Sequence, residues 1–169
     1  NKFYSITEIK NLDKEILLEI EKDIKNITLE RKNILGLKFD ASQIMGALNI
    51  TPDSFSDGGL FFEETKAYNQ AKLMIDSGAT IIDIGGESTR PGSTTVNEKE
   101  EWKRIKKTII KFKKNYPQIL LSLDTRKSYV MSKGIQNGVD IINDVSGFNF
   151  DKKSFDLINS EKKPFILHH

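Results

Sequence analysis

Apolar and polar positions along this chain follow two periods, and the places where one gives way to the other define its elements. In the first thirty-odd residues Leu17, Ile20, Ile24 and Ile27 recur at helical spacing with Glu and Lys between them, which predicts an amphipathic helix. Asp13 or Asn11 suits its N-cap. Residues 1–33 read as an N-terminal accessory helical segment in preference to the tail of another domain. Leu35, Leu37 and Phe39 then alternate with Gly36, Lys38 and Asp40, and period two predicts a half-buried strand. A turn at Asp40-Ala41-Ser42 leads into a buried strand at 44–48. The two strands are expected to form a hairpin that plugs one end of a larger sheet or barrel.

From there one unit recurs: apolar strand, polar loop, amphipathic helix. The first loop, Asn49 to Gly59, is followed by a helix with Ala67, Ala71, Met74 and Ile75 on one face and Gly78 as its stop. Thr80 to Ile84 reads as a strand buried on both sides, and Gly85 to Ser93 as a second polar loop. A long helix follows, with Trp102, Ile105, Ile109, Phe112 and Tyr116 on one stripe. Its lysines lie mostly off that stripe and read as a solvated face. Ile119 to Leu123 is a third strand closed by Asp124, Val139 to Ile142 a fourth closed by Asn143, and Phe165-Ile166-Leu167 the start of a fifth. Phe155 and Ile158 mark a helix between the last two.

Strands alternating with helices imply a parallel sheet. No Gly-x-Gly-x-x-Gly follows the first strand, which weakens a dinucleotide fold. The strand ends carry Asn49, Asp83, Asp124, Asn143, and then His168 and His169. A closed barrel gathers such ends into one ring, whereas an open sheet spreads them along an edge. The expected class is therefore α/β, a TIM (β/α)₈ barrel over 34–169 that stops after about the fifth strand, since such barrels typically need about 250 residues.

Composition narrows the chemistry. The 169 residues carry a formal net charge of +2, which offers no electrostatic case for nucleic acid. Cysteine is absent, so there is neither a disulfide framework nor a thiolate ligand or nucleophile. No apolar run approaches the roughly 18 residues of a membrane span, and the N-terminus lacks a signal-peptide layout. A soluble cytoplasmic protein is the expectation.

The polar loops then divide between function and ordinary loop architecture. A carboxylate at a buried strand end is costly unless paired or placed at a site, so Asp124 is read as an acceptor for the N–H groups of a bound heterocycle rather than as a turn cap. Asn143 offers donor and acceptor together and with Asp124 suits the edge of a flat, nitrogen-rich ring. Asp144 beside it is read as a brace of its loop. Ser88-Thr89-Arg90, between glycines, suits phosphate oxygens or is simply a Gly/Pro-rich turn. Asn49, Asp53 and Asp57 supply oxygen ligands suited to Mg²⁺, or are loop hydrogen-bonders. His168 and His169 fall near the site without an assigned role.

Four stretches resemble a known family. Met45 to Gly59, reading Met-Gly-Ala-Leu-Asn-Ile-Thr-Pro-Asp-Ser-Phe-Ser-Asp-Gly-Gly, resembles the first signature of the dihydropteroate synthases, and Gly78 to Gly92 their second. Ser122-Leu123-Asp124-Thr125 and Ile141-Ile142-Asn143-Asp144 are similar to two further motifs of that family, in the same order. The resemblance runs from about Ile44 to the C-terminus. It implies a pterin-binding (β/α)₈ barrel of folate biosynthesis, a Mg²⁺-dependent transferase. Such an enzyme condenses 6-hydroxymethyl-7,8-dihydropterin diphosphate with p-aminobenzoate to give 7,8-dihydropteroate and diphosphate.

By the same resemblance, Asn49 would be the metal ligand, joined by Asp57. Thr89 and Arg90 would hold the diphosphate, and Asp57 and Arg90 would serve the chemistry. Asp124 and Asn143 would grip the pterin. Phe55 and Pro91 would shape the p-aminobenzoate pocket, where sulfonamides would compete. The full-length form is expected to be a homodimer. Later family motifs, including a further pterin-binding Asp, a Ser-Arg-Lys run and an Arg-x-His pair, lie beyond the fifth strand. Activity is therefore expected of a longer product rather than of these residues alone. Two competing readings are a corrinoid methyltransferase, which needs no Thr89-Arg90 site, and a non-catalytic pterin-binding fragment.

Overall fold

The computed structural model describes residues 5–9, 11–29, 33–51, 60–90 and 92–168. The chain divides into two compact units, Asn1–Asn33 and Ile34–His169. The first holds a short helix, α1 (Ile6–Ile9), and α2 (Lys14–Thr28). Asp13 caps α2 by accepting the Glu15 N–H at 2.9 Å, as one of the two expected caps. None of the residues of α2 is buried, and Ile24 and Ile27 stand 50% and 77% exposed.

The second unit repeats the strand–helix pair. Its order is β1 (Met45–Asn49), α3 (Leu60–Asp76), β2 (Ile81–Gly85), α4 (Glu98–Asn115), β3 (Leu120–Asp124), α5 (Ser128–Gln136), β4 (Ile141–Asp144), α6 (Lys153–Glu161) and β5 (Phe165–Leu167). The strands are parallel, and their order in the sheet is their order in the chain. This progression separates a barrel from a doubly wound sheet, whose strand order reverses at a switch point. Leu48, Ile82, Ile84, Leu121, Leu123 and Ile142 face the helices and build the core with Ala67, Ala71, Ile105, Ile109, Phe112 and Met131. Side chains alternate along a strand, so the opposite face carries Ala47, Asn49, Asp83, Ser122, Asp124 and Asn143.

Helix ends form where the chemistry requires. Asn97 caps α4 by accepting the Glu100 N–H at 2.9 Å, with Glu98, Glu100 and Glu101 in the first turn and Lys113 and Lys114 in the last. Gly78, at φ +102°, ends α3 in the left-handed conformation. Of the lysines expected on a solvated face of α4, Lys106, Lys107 and Lys114 are exposed. Lys113 instead pairs with Asp140 at 2.8 Å, and Lys111 lies 4.4 Å from the centre of the Tyr68 ring.

Two expectations fail. Residues 35–39 form no strand; a single antiparallel bridge joins Ile34 to Leu37 around Leu35 and Gly36, whose φ values are +52° and +80°. Positive φ at both central residues belongs to a tight reversal, and it turns the chain back before a strand can run. Leu35 and Phe39 remain 44% and 56% exposed, and only Leu37 is half-buried, beside a hollow shared with Thr80 and residues 118–120. Nor is the strand after it buried: β1 lies at the edge of the five-stranded sheet, and Ile44 and Met45 are 54% and 38% exposed.

Candidate active site

Three register pairs align four strand ends. Asn49 pairs with Gly85, Gly85 with Asp124, and Asp124 with Asn143, so these residues form one row across β1 to β4. Glycine is the residue that permits the row to close. A Cβ at Gly85 would lie 3.3 Å from both Asn49 Oδ1 and Asp124 Oδ2. Two oxygens from flanking strands thus converge over a position without a side chain. Above it opens a cavity of about 450 Å³, lined by Asn49, Thr51, Glu87, Ser88, Thr89, Arg90 and Asp124.

Asp124 has no hydrogen-bond donor among the described residues. Burial pushes its carboxyl up to about 7, and the nearby carboxylates of Asp83, Glu101, Asp144 and Glu87 push in the same direction. Near neutral pH it is therefore poised between acid and carboxylate, and a ligand presenting N–H donors would draw it to the ionised form.

Asn143 is buried, and both ends of its amide are held. Nδ2 donates to Asp83 Oδ2 at 2.9 Å, and Oδ1 lies 2.8 Å from His168 Nε2. An ionised carboxylate only accepts, so Asp83 fixes which way round the amide sits. The amide carbonyl then requires His168 to donate from Nε2. One N–H of Asn143 and a carbonyl lone pair remain for a ligand. Two residues further into the sheet, Asp83 pairs in register with Ser122, and Asp83 Oδ1 and Ser122 Oγ have no hydrogen-bond partner among the described residues. Asp144 braces its loop as expected, accepting from the Ser146 N–H and hydroxyl and from the Phe148 N–H.

Thr89 and Arg90 stand exposed on the β2–α4 loop, and Arg90 makes no ion pair among the described residues. The root of that loop is the opposite. Glu87 is 5% exposed and accepts from Lys127 Nζ at 2.8 Å, Arg126 Nε at 3.1 Å and the Val96 N–H at 2.9 Å. Burial pushes its carboxyl up, but these donors outweigh burial and hold it below the usual carboxylate range. Lys127 also bonds Glu101, which is fully buried and accepts the Thr125 hydroxyl at 2.6 Å.

Of the residues picked out from sequence, Asn49, Thr89, Arg90 and Asp124 share the cavity, and Asn143 adjoins Asp124. Phe55, Asp57, Pro91, Asp53 and His169 lie outside the described residues. Sequence reading missed the Asp83–Asn143–His168 chain and the Glu87–Lys127–Glu101 cluster. One signal was available: Glu101 falls on the stripe of Ile105, Ile109 and Phe112, where a solvated residue has no place.

Among the described residues no three His, Asp or Glu side chains gather as a metal cluster. The cavity's oxygen groups are instead the Asn49 amide, the Asp124 carboxylate, the hydroxyls of Thr51, Ser88 and Thr89, and the Glu87 carboxylate, which is engaged by Lys127 and Arg126. That set fits Mg²⁺, which takes hard oxygen ligands, keeps several waters and shares phosphate oxygens.

Residues 45–169 match the sequence family described as pterin binding enzyme. The dihydropteroate synthase of Synechocystis sp. is 46% identical over 126 residues, which is 75% of this chain and 43% of that protein. A dihydropteroate synthase from Clostridium difficile, solved in the presence of pteroic acid, superposes with a TM-score of 0.72 at 43% identity, covering 76% of this chain and 49% of the other. That of Xanthomonas albilineans with 4-aminobenzoic acid superposes with a TM-score of 0.74 at 37% identity, covering 79% and 49%. The chain thus spans about half or less of the length of these relatives.

Proposed function

The chain belongs to the family of pterin binding enzymes, and we propose that it supplies five strands and the four helices between them of a dihydropteroate synthase. The observation that carries this is the row Asn49–Gly85–Asp124–Asn143 beneath a cavity whose rim bears Thr89 and Arg90. It sets acceptors and a donor for a flat heterocycle beside hydroxyl and guanidinium groups for an anion. That is the composition of a pterin carrying a diphosphate.

In this reading Asp124 accepts N–H groups of the pterin while Asn143 contributes its remaining N–H and carbonyl lone pair. Thr89 and Arg90 hold the diphosphate. The bond between the pterin methylene carbon and the diphosphate oxygen breaks, and the leaving group takes the electron pair. Arg90 spreads that developing charge through two parallel N–H contacts. The electron-rich pterin carries the positive charge left on carbon. The arylamine of p-aminobenzoate attacks that carbon and loses its proton, so no covalent enzyme nucleophile is needed. Asn49 Oδ1 would hold Mg²⁺, joined by Asp57, and the ion when bound would share the diphosphate charge. Phe55 and Pro91 would line the p-aminobenzoate pocket.

The test is dihydropteroate formation from the dihydropterin diphosphate, p-aminobenzoate and Mg²⁺, run with this chain and with a version extended to eight β/α units. Product from the extended version supports the reading. Absence of product from both, with pterin binding retained, turns it toward a methyltransferase of the same family.

A further inference from the structure

We propose that Glu87 is a positioning residue for the anion-binding arm: it clamps both ends of segment 88–95 so that Thr89 and Arg90 address the cavity. The proposal rests on the reading of Thr89 and Arg90 as diphosphate ligands.

A buried glutamate beside an anion site looks misplaced, because its charge repels the ligand. Its partners remove the objection. Arg126 and Lys127 bond Glu87, Lys127 also bonds Glu101, and the four charges sum to zero. What remains is geometry. Glu87 opens the loop, and its Oε1 accepts the N–H of Val96, nine residues on, at the loop's end. Its other contacts fasten this closed ring to the β3–α5 loop. Arg126, in turn, stacks 3.9 Å from the centre of the Phe150 ring in the loop after β4, so Arg126 links the Glu87 carboxylate to a third loop at this end of the sheet.

The neighbouring residue is fixed as firmly. A Cβ at Gly86 would lie 2.9 Å from Ile105 Cγ2 and 3.0 Å from the Glu101 carbonyl oxygen, and Arg104 Nη1 donates to the Gly86 carbonyl at 3.1 Å. The root therefore sits directly on α4. The tip is different. Residues 89, 90 and 92–95 are exposed, and the tip is turned back on itself by the Ser93 N–H donating to the Arg90 carbonyl at 3.1 Å. Hollows of about 450 and 480 Å³ lie on its two sides. A self-contained tip with room on both sides takes its direction from its root, and the root is held by Glu87.

The test uses this chain with Glu87→Gln, which keeps the side-chain shape and removes the charge that holds Arg126 and Lys127, and with Glu87→Ala. Two readouts are taken. In ¹⁵N relaxation and amide exchange, both variants are expected to lower the order parameters of residues 88–90 and 92–95 toward the flexible range, below about 0.6. Exchange at Val96 should quicken at least tenfold, with β2 to β4 unchanged. In binding, affinity for the dihydropterin diphosphate with Mg²⁺ should fall about tenfold, while affinity for 6-hydroxymethylpterin changes less than twofold. Unchanged loop order, or equal loss for both ligands, overturns the clamp. The binding arm is run in the version extended to eight β/α units; if that version without substitution binds neither ligand, the functional reading fails, and the relaxation measurement still decides the clamp.

Discussion

Asp83 and Asn143, on strands separated by β3, share a buried hydrogen bond of 2.9 Å. It ties two residues on the sheet face opposite the helices, and its direction dictates the polarity of the Asn143 amide. Asp83→Asn removes that dictation, because either amide can then turn. Affinity for 6-hydroxymethylpterin is expected to fall by about 1–2 kcal/mol, within the usual cost of a disrupted buried hydrogen bond. Titration calorimetry checks this; an unchanged affinity would show that Asn143 is oriented by something else.

Asp124, if it holds the pterin as proposed, should make binding depend on pH. Its carboxyl titrates at about 7 in the folded chain against an ordinary 3.8. In the proposed reading the ionised form accepts the pterin N–H groups, so affinity should rise as pH increases from 6 to 8 and level off above. Asp124→Asn should flatten the profile and weaken binding at pH 8 by about 1.5–3 kcal/mol. A profile equally steep in the variant would remove Asp124 as its source.

The same group shapes stability with the opposite sign of benefit. A carboxyl raised in the folded state contributes stability that is fully present below 3.8 and is lost as pH rises through about 7. Asp124→Asn should therefore stabilise the chain at pH 8 more than at pH 5, by about 1–3 kcal/mol. That range is set by about 1.4 kcal/mol per pKa unit, discounted for partial solvent access. Urea melts at the two pH values measure it.

Lys127 lies between two buried carboxylates, Glu87 and Glu101. Lys127→Met leaves both short of a cation and should cost about 3–5 kcal/mol in chemical denaturation, the range for breaking a buried pair from one side. Adding Glu101→Gln should recover part of that loss. A single-variant cost below about 1 kcal/mol would mean that water reaches the cluster.

Arg90→Lys, in the version extended to eight β/α units, should lower turnover by tenfold or more while leaving pterin affinity within twofold. An ammonium cannot reproduce the planar fork of a guanidinium. Steady-state kinetics beside pterin titrations separate the two effects. Loss confined to pterin affinity would take Arg90 away from the diphosphate.

Much of this protein was legible in its order of residues. Local periodicity placed all five strands and the principal helices, because each unit's apolar stripe is written within one short segment and is read by its own neighbours. Polar residues at strand ends named Asn49, Asp124 and Asn143 for the same reason. Only the tertiary structure decided what depended on partners far along the chain. Residues 35–39 alternate as a strand does, but no strand pairs with them among the described residues, and two positive φ values turn them back instead. Glu87 and Lys127, Glu101 and Thr125, and Asp83 and Asn143 meet across separations of 40, 24 and 60 residues. Nothing local in a glutamate or a lysine tells whether its charge will be solvated or buried. That choice is made when the sheet brings strand ends and loop roots together, and it is there that a carboxylate acquires its partners or, like Asp124, meets no donor among the described residues.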